Sequence, residues 1–339
     1  MINTVKKILL NIKPISPILL LLFIVAIGSF LRIYRLPDLM IFRADQAIDA
    51  LEVVKMTEGH FTLLGPKASV GPFYNGPIVY YLMLPFFYIL GPHPLSGTVF
   101  QVFLSITTIF IIFFLGKRIS DTTTGYIASF LTAISPLFID YSRAIFNSYP
   151  AVFFSSCIFG FYILISEKPQ RWKYLLLGIL LGCTVQMHYL MIVLVITLII
   201  HPIIFVRKLY RFDYYIVVFI GFIIGLSPYL AFEFRHDFIN IKNIIYFIIN
   251  GSSDAPRSFL FFIEVWPRLL SMSFLGNYFY LGIMVCLALI FFMWQSRQLT
   301  KNTTYSLFFL TLFTTFCITI IYGKTLTTHY LIPAIRPIC

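Results

Sequence analysis

The sequence predicts an all-α membrane protein that crosses the bilayer about nine times. Of its 339 residues, 59% are hydrophobic and only 11% are charged, and the mean hydropathy is +0.90. Apolar runs near the roughly 20 residues that span a bilayer recur along the whole chain. Basic residues gather in the short gaps between these runs. We therefore attribute the net charge of +12 to basic loops that orient the chain in the membrane, and we expect no nucleic-acid partner.

The basic gaps predict the orientation of the chain. Short cytoplasmic loops of membrane proteins carry an excess of lysine and arginine, so we expect the gaps to be cytoplasmic and the longer, more acidic loops to be outside. The gap residues are Lys6, Lys7 and Lys13; Lys117 and Arg118; Lys168, Arg171 and Lys173; Arg207, Lys208 and Arg211; and Arg297 and Lys301. The sequence thus predicts a multi-pass plasma-membrane protein whose working face is extracytoplasmic.

The crossings follow from these gaps. Tyr174–Val206 begins and ends at basic gaps and has 33 residues, so we interpret it as two short crossings that meet near Gln186–Tyr189. The other predicted crossings, in order, are Ile15–Ile33, Thr98–Leu115, Gly125–Ile139, Pro150–Ile165, Tyr214–Phe232, Tyr280–Trp294 and Tyr305–Tyr322.

One apolar run, Pro77–Leu90, breaks the parity, because counting it as a crossing would invert every later helix. We predict instead a helix on the outer surface or a partly re-entrant one, with Tyr80, Tyr81 and Tyr88 in the interfacial belt. The first outer loop is then 34–97 and the second long outer segment is 233–279, within a single transmembrane domain, 1–339. The chain stops at Cys339 just after the last crossing, which leaves a truncated C-terminus as an open interpretation.

The first outer loop contains the most informative acidic residues. A helix is predicted from Asp45 to Gly59, with an apolar face made of Ala47, Ile48, Leu51 and Val54 and an acidic face made of Asp45, Asp49 and Glu52. Asp45 is either the N-cap of this helix or a catalytic base at the membrane surface. A Gly-Pro-rich stretch follows, which predicts a stiff folded loop that contains Lys67.

Two further stretches place polar residues where predicted crossings end. Phe138–Pro150 contains Asp140, Arg143 and Asn147, and ionisable residues near membrane depth suggest function. Arg143 either pairs with Asp140 or offers a planar fork to a phosphate. The other candidates are Glu233 and Arg235 at the end of a later crossing and His188 at the predicted turn. No spacing is typical of a metal site, so no cofactor is predicted, although a divalent ion is not excluded.

The order of four stretches resembles the GT-C glycosyltransferases that use polyprenyl-phosphate sugars, especially glycosyltransferase family 39. That family includes bacterial aminoarabinose transferases and eukaryotic protein O-mannosyltransferases. The resemblance covers roughly residues 15–232 and rests on RADQAIDAL, GPIVYYL, FLGKRISDTTTGYIASFLTAISPLFIDYSR and YLLLGILLGCTVQMHYL. It implies a GT-C helical bundle with juxtamembrane helices in the first outer loop. It also implies transfer of a sugar from a polyprenyl-phosphate donor to an acceptor on the outer face.

The resemblance implies that Asp45 is the general base of an inverting displacement, and that cations hold the donor phosphate. Relatives often carry Asp-Glu where this chain has Asp45-Gln46, and a lysine where it has Asn75-Gly76. Arg143 is the first candidate for the cation that binds the donor phosphate, and Lys67 is the second. The full set of candidate substrate-binding residues is Arg143, Lys67, Tyr81, Asn147, His188, Glu233 and Arg235. The acceptor, whether lipid, glycan or protein, stays open.

Two other functions compete with this one. A transporter or flippase of a lipid-linked sugar would use interior ionisable groups to move a head group, but such proteins often show inverted repeats, and no matching halves are evident. A non-catalytic subunit of an envelope complex is the third alternative. The long outer loops favour the enzyme.

Overall fold

The computed structural model describes residues 16–68, 71–209, 211–250, 267, 271, 278–295 and 303–321. In this part of the chain the regular structure is all helical, as predicted, and only two isolated backbone bridges occur. The helices are α1 (Pro17–Ile33), α2 (Leu36–Leu39), α3 (Ala44–Thr57), α4 (Ile78–Leu90), α5 (Pro94–Ile119), α6 (Thr122–Ile134), α7 (Pro136–Ser142), α8 (Ala151–Glu167), α9 (Arg171–Met187), α10 (Ile192–Ile204), α11 (Phe212–Arg235), α12 (Ile239–Asn250), α13 (Phe279–Gln295) and α14 (Thr303–Ile321).

Some predictions fall on residues outside the described ranges. These are the first and last basic gaps, most of the second outer segment beyond Asn250, and the C-terminal end at Cys339.

The count of about nine crossings stays a prediction. Among the described residues, α5 and α11 are each long and apolar enough to cross a membrane, and α6 with α7 becomes a third such span if the bent pair is taken as one. The shorter apolar helices include α1, α4 and α8. Helices satisfy their own backbone groups, which is the form that an apolar bilayer requires.

The break predicted near Gln186–Tyr189 is confirmed. Helix α9 ends at Met187, a single 3-10 turn covers Tyr189–Met191, and α10 begins at Ile192. His188 lies between them in an extended conformation, with φ −160° and ψ 130°, and its Nδ1 accepts a hydrogen bond from the Leu190 amide at 3.2 Å.

The apolar run that broke the parity forms helix α4, which packs against α3, α5 and α9. Of the three tyrosines predicted for the interfacial belt, Tyr80 does not face outward. Tyr80 is 3% exposed and faces α3, whereas Tyr88 is 60% exposed. The prediction was wrong for Tyr80 because its hydroxyl has a buried partner on α3, which periodicity alone does not show.

Three of the basic gaps meet at one end of the bundle, called here the basic end. Arg118 donates two hydrogen bonds to Glu167, one of them at 2.7 Å, and so joins two of the gaps. Arg171 lies 4.0 Å from the Asp213 carboxylate and joins another pair. The opposite end holds α3, α4 and the break at His188, and is called the site end.

Helices α9 and α11 approach each other closely, because glycines face each other across the pair. Gly178 and Gly182 on α9 meet Gly221 and Gly225 on α11, each pair four residues apart. A Cβ on Gly178 would lie 2.1 Å from the Val218 carbonyl oxygen. Small residues at this spacing let membrane helices approach closely.

We expect Gly178→Ala to push α9 and α11 apart, because the added methyl group meets backbone atoms that cannot move aside. Overpacking of this kind costs about 1–3 kcal/mol. Thermal unfolding of the purified protein in detergent measures the loss. Gly160→Ala is the matched control, because the nearest atom to its new Cβ is a leucine methyl at 3.4 Å. Equal melting temperatures for the two variants would contradict the tight contact.

Candidate active site

Helix α3 begins at Ala44, and Arg43 occupies the N-cap position. The Gln46 side chain closes the first turn by accepting a hydrogen bond from the Arg43 amide at 2.9 Å. Asp45 is the second residue of the helix, and its carboxylate is exposed and accepts no hydrogen bond from any described residue. The interpretation of Asp45 as an N-cap was therefore wrong, and its carboxylate is free.

The buried face of α3 differs from the predicted one. The residues that it buries are Gln46, Asp49, Ala50, Val53 and Met56. Ile48 and Leu51, which belong to the predicted apolar face, are 58% and 60% exposed. A helix that lies along a membrane surface presents apolar residues outward as well, so hydrophobicity did not distinguish its two faces. The predicted end is confirmed, since Gly59 has a positive φ of 95° and follows the C-cap.

Asp49 is the buried acid of α3. Tyr80 on α4 donates a hydrogen bond to its Oδ1 at 2.6 Å. Burial raises the pKa of Asp49 to about 6, the Tyr80 hydrogen bond opposes this rise, and the negative charge of Asp45 adds to it. This carboxyl group thus links the two juxtamembrane helices and is half protonated near pH 6.

A backbone contact brings Asp45 and Arg143 into one region. The Ile41 amide donates to the Arg143 carbonyl at 2.9 Å, and Ile41 pairs with Ala144 as a parallel bridge. The segment that enters α3 therefore runs beside the segment that leaves α7. Residues about one hundred positions apart in the sequence become neighbours at the site end.

Arg143 is half-buried. Of its two predicted alternatives, the ion pair with Asp140 does not form. The Arg143 Nη2 donates instead to the Leu31 carbonyl of α1 at 2.6 Å. Its Nε is buried and has no hydrogen-bond partner. The guanidinium group is thus fixed at one corner and keeps an unused donor.

Asn147 and His188 line the same end of the bundle but use their polar atoms within the protein. Asn147 is buried and donates to the Met187 carbonyl at 2.8 Å, which ties the segment after Arg143 to the end of α9. Burial lowers the pKa of His188 to about 4, so its ring is neutral at physiological pH.

The loop between α3 and α4 packs onto the end of α9. The Gly76 amide donates to the Gln186 carbonyl at 3.0 Å, and a Cβ on Gly76 would lie 2.4 Å from Gln186 Oε1. Tyr81 spends its hydroxyl on the Thr62 carbonyl at 2.7 Å, so it holds this loop. Lys67 is exposed on the same loop, where its backbone pairs with Tyr74.

Glu233 and Arg235 belong to another part of the site end. Glu233 is fully buried near the end of α11, where its Oε2 accepts from the Ile241 amide at 3.3 Å and its Oε1 has no partner. Arg235, the last residue of α11, is exposed. In the described part of the chain, no hydrogen bond or ion pair connects either residue to Asp45 or Arg143.

A small cleft lies between α5, α6, α7 and the start of α8. Its walls are Gln101, Leu104, Ser105, Thr108, Thr132, Phe138, Tyr141, Tyr149, Val152 and Phe153. Gln101 is only 5% exposed, although it lines this cleft. Gln101 was not among the predicted site residues, although a glutamine in an apolar run is a recognisable signal.

The sequence analysis also missed Arg32, the one arginine inside the predicted first crossing. It is fully buried, and the signal for it was the cost of a charge within an apolar run. For metals, the part of the chain that the structure describes holds no group of three or more His, Cys, Asp or Glu side chains able to bind an ion. Asp45, Asp140, Glu233 and the histidines therefore do not form such a group there.

Comparisons with known proteins agree with the predicted family resemblance. The family model for dolichyl-phosphate-mannose-protein mannosyltransferase matches residues 74–232. No sequence among the curated proteins matches the chain. Among solved structures, ArnT from Cupriavidus metallidurans in the apo state superposes with a TM-score of 0.66 at 11% identity, over 93% of this chain and 57% of ArnT.

Two ligand-bound structures are also similar. ArnT bound to undecaprenyl phosphate gives a TM-score of 0.59 at 11% identity, over 93% of this chain and 57% of ArnT. The oligosaccharyltransferase AglB from Archaeoglobus fulgidus, in complex with an inhibitory peptide and a dolichol-phosphate, gives 0.52 at 15% identity, over 91% of this chain and 49% of AglB. This chain therefore spans a little over half the length of ArnT and about half that of AglB. At these identities the likeness concerns the fold.

The buried acid of α3 gives a prediction about pH. The folded-state pKa of Asp49 lies above its ordinary value, so its burial costs stability as pH rises from about 4 to about 6 and stays costly above that range. Asp49→Asn keeps an acceptor for Tyr80 and removes the charge. We expect the variant to be more stable than the wild type at pH 7–8 by at most about 3 kcal/mol, and the gain to vanish near pH 4. Melting temperatures measured across this pH range check it, and a gain independent of pH would contradict it.

Proposed function

Because the chain has the helical fold of the GT-C glycosyltransferases, we propose that it is a membrane glycosyltransferase. It moves a sugar from a polyprenyl-phosphate donor to an acceptor hydroxyl or similar group, at the site end of the bundle. The relatives in the comparisons bind undecaprenyl phosphate or dolichol-phosphate, which supports this class of donor.

One observation carries the proposal, namely the backbone contact between Ile41 and Arg143. It brings the segment that leads into α3 and Asp45 beside the backbone of Arg143. The Arg143 guanidinium group keeps an Nε donor without a partner. Transfer of a sugar from a phosphate leaving group needs a base for the acceptor proton and a cation for the phosphate. The buried Asp49 lies one turn further along α3. Its carboxylate accepts a hydrogen bond from Tyr80, so we do not propose it as the base.

In the proposed step, the acceptor oxygen forms a bond to the anomeric carbon of the sugar. The bond between that carbon and the phosphate oxygen breaks, and its electron pair leaves with the polyprenyl phosphate. The acceptor proton passes to Asp45, which acts as general base. Arg143 holds the phosphate, whose charge grows as it departs. Attack opposite the leaving group inverts the anomeric carbon.

The other candidate residues take supporting roles in this proposal. Tyr81 fixes the loop beside the site by donating to the Thr62 carbonyl. Asn147 fixes the break after α9 by donating to the Met187 carbonyl. His188 offers a neutral ring at the same border. Lys67 and Arg235 are exposed cations, available to the donor head group or the acceptor. Glu233, with its unpartnered Oε1, remains a candidate contact for a substrate hydroxyl.

The proposal places the site end on the extracytoplasmic face of the plasma membrane. Its support is the positive-inside pattern, because the basic gaps that the structure describes meet at the opposite end of the bundle. A donor anchored by a prenyl chain would present its phosphate at that surface, beside the juxtamembrane helices α3 and α4.

Asp45→Asn tests the base. The amide keeps the shape of the side chain but cannot take the acceptor proton, so we expect the transfer rate to fall by about 10²–10⁴-fold. Donor KM should change little, because the phosphate is held elsewhere. Initial rates with labelled undecaprenyl- and dolichyl-phosphate sugars measure both quantities. Asp38→Asn is the matched control, since Asp38 is exposed and pairs only with Arg35. Transfer at the wild-type rate by Asp45→Asn would refute the base.

Arg143→Lys tests the donor contact. Lysine keeps the charge but loses the planar fork and the fixed bond to Leu31, so we expect a weaker donor complex by about 1–3 kcal/mol. The same assays should show a higher donor KM with a smaller change in kcat. Lys67→Gln serves for comparison, because an exposed flexible cation should contribute less. An unchanged donor KM in Arg143→Ala would exclude Arg143 as the phosphate ligand.

A further inference from the structure

Arg32 is a fully buried arginine in the apolar helix α1. In the described part of the chain no carboxylate forms an ion pair with it. A charge in such a position is expensive unless it is fully hydrogen-bonded. Its guanidinium group meets this requirement with neutral oxygens alone: Ser105 Oγ at 2.8 Å and the carbonyls of Gly28 at 2.9 Å, Ala133 at 2.8 Å and Thr132 at 3.1 Å.

Two of these carbonyls belong to the break between α6 and α7. Pro136 opens α7 and has no N–H, so it cannot donate to the Thr132 carbonyl as the next turn of a helix would. The two helices meet at 58°, which leaves the last carbonyls of α6 without their usual partners. Arg32 supplies both missing donors. Its positive charge also faces the negative end of the α6 dipole.

The far end of α7 is fixed by the same stretch of α1. Arg143 directly follows α7, and its Nη2 donates to the carbonyl of Leu31, the neighbour of Arg32. One turn of α1 therefore holds α7 at both ends, through the Arg32 side chain at the break and the Leu31 carbonyl at the exit. Helix α7 has only seven residues, so a change in its starting angle displaces Arg143 directly.

We propose that Arg32 is a positioning residue of the transfer site: by capping the break between α6 and α7, it sets the angle of α7 and so places Arg143 for the donor phosphate. This inference rests on the proposed function. Arg32 touches no substrate, because it is fully buried and each of its nitrogens already donates to the protein. It acts through Arg143 alone.

Kinetics separate this role from a general loss of structure. Arg32→Gln cannot reach all four acceptors, so we expect donor KM to rise about tenfold to a hundredfold, with a smaller change in kcat. Arg32→Lys, which keeps the charge and part of the bonding, should recover part of the loss. Arg35→Gln is the matched control, since Arg35 is exposed and pairs only with Asp38. A fall in kcat at constant donor KM would overturn the inference.

A double-mutant cycle gives the sharper result. If Arg32 acts only through Arg143, Arg32→Gln should have almost no further effect on donor KM in an Arg143→Ala background. Additive effects of the two substitutions would overturn the inference.

A measurement without catalysis keeps the inference apart from the proposed function. Spin labels at positions 127 and 140, on the exposed sides of α6 and α7, report the bend in a cysteine-substituted chain in nanodiscs. We expect Arg32→Gln to shift or broaden the label distance and Arg35→Gln to leave it unchanged. An unchanged distance in Arg32→Gln overturns the inference alone. An unchanged donor KM in Arg143→Ala overturns the donor role and the inference with it.

Discussion

Backbone carbonyls left free at helix breaks govern the placement of buried polar side chains in this bundle. An apolar bilayer offers these carbonyls no water, so the protein must supply the donors. Arg32 serves the break before α7, and Lys173 donates to the Leu164 and Lys168 carbonyls where α8 ends. Asn147 serves the end of α9 in the same way. These three buried donors therefore serve to hold the helices in place.

The same requirement explains where the candidate site forms. Breaks need polar side chains, and the breaks after α1, after α7 and after α9 all lie at the site end. Polar groups that form no hydrogen bond within the protein are then available to bind or activate a substrate. The Asp45 carboxylate and the Nε of Arg143 are two such groups, and the Ile41–Arg143 contact holds their segments side by side. The candidate catalytic and phosphate-binding groups therefore lie next to helix breaks.

Close packing of α9 on α11 fixes the other side of the site. With glycines at the contact, the α11 backbone comes near enough for Gln186 to donate a hydrogen bond to the Gly225 carbonyl. The end of α9 in turn receives the Gly76 amide, which orients the loop between α3 and α4. Small residues deep in the bundle thus hold a loop at its surface.

The sequence by itself determined the features that depend on local patterns. Apolar runs and basic gaps gave the helices, the break at His188 and the meeting of the gaps at one end, because composition and charge act over short stretches of chain. Arg143 and Asp45 were found as candidates for the same reason. Tertiary structure decided which face of α3 is buried and which acid is free. Helices in and on a membrane are apolar on several sides, so only the partners, Tyr80 for Asp49 and the Leu31 carbonyl for Arg143, decide how each side chain is used.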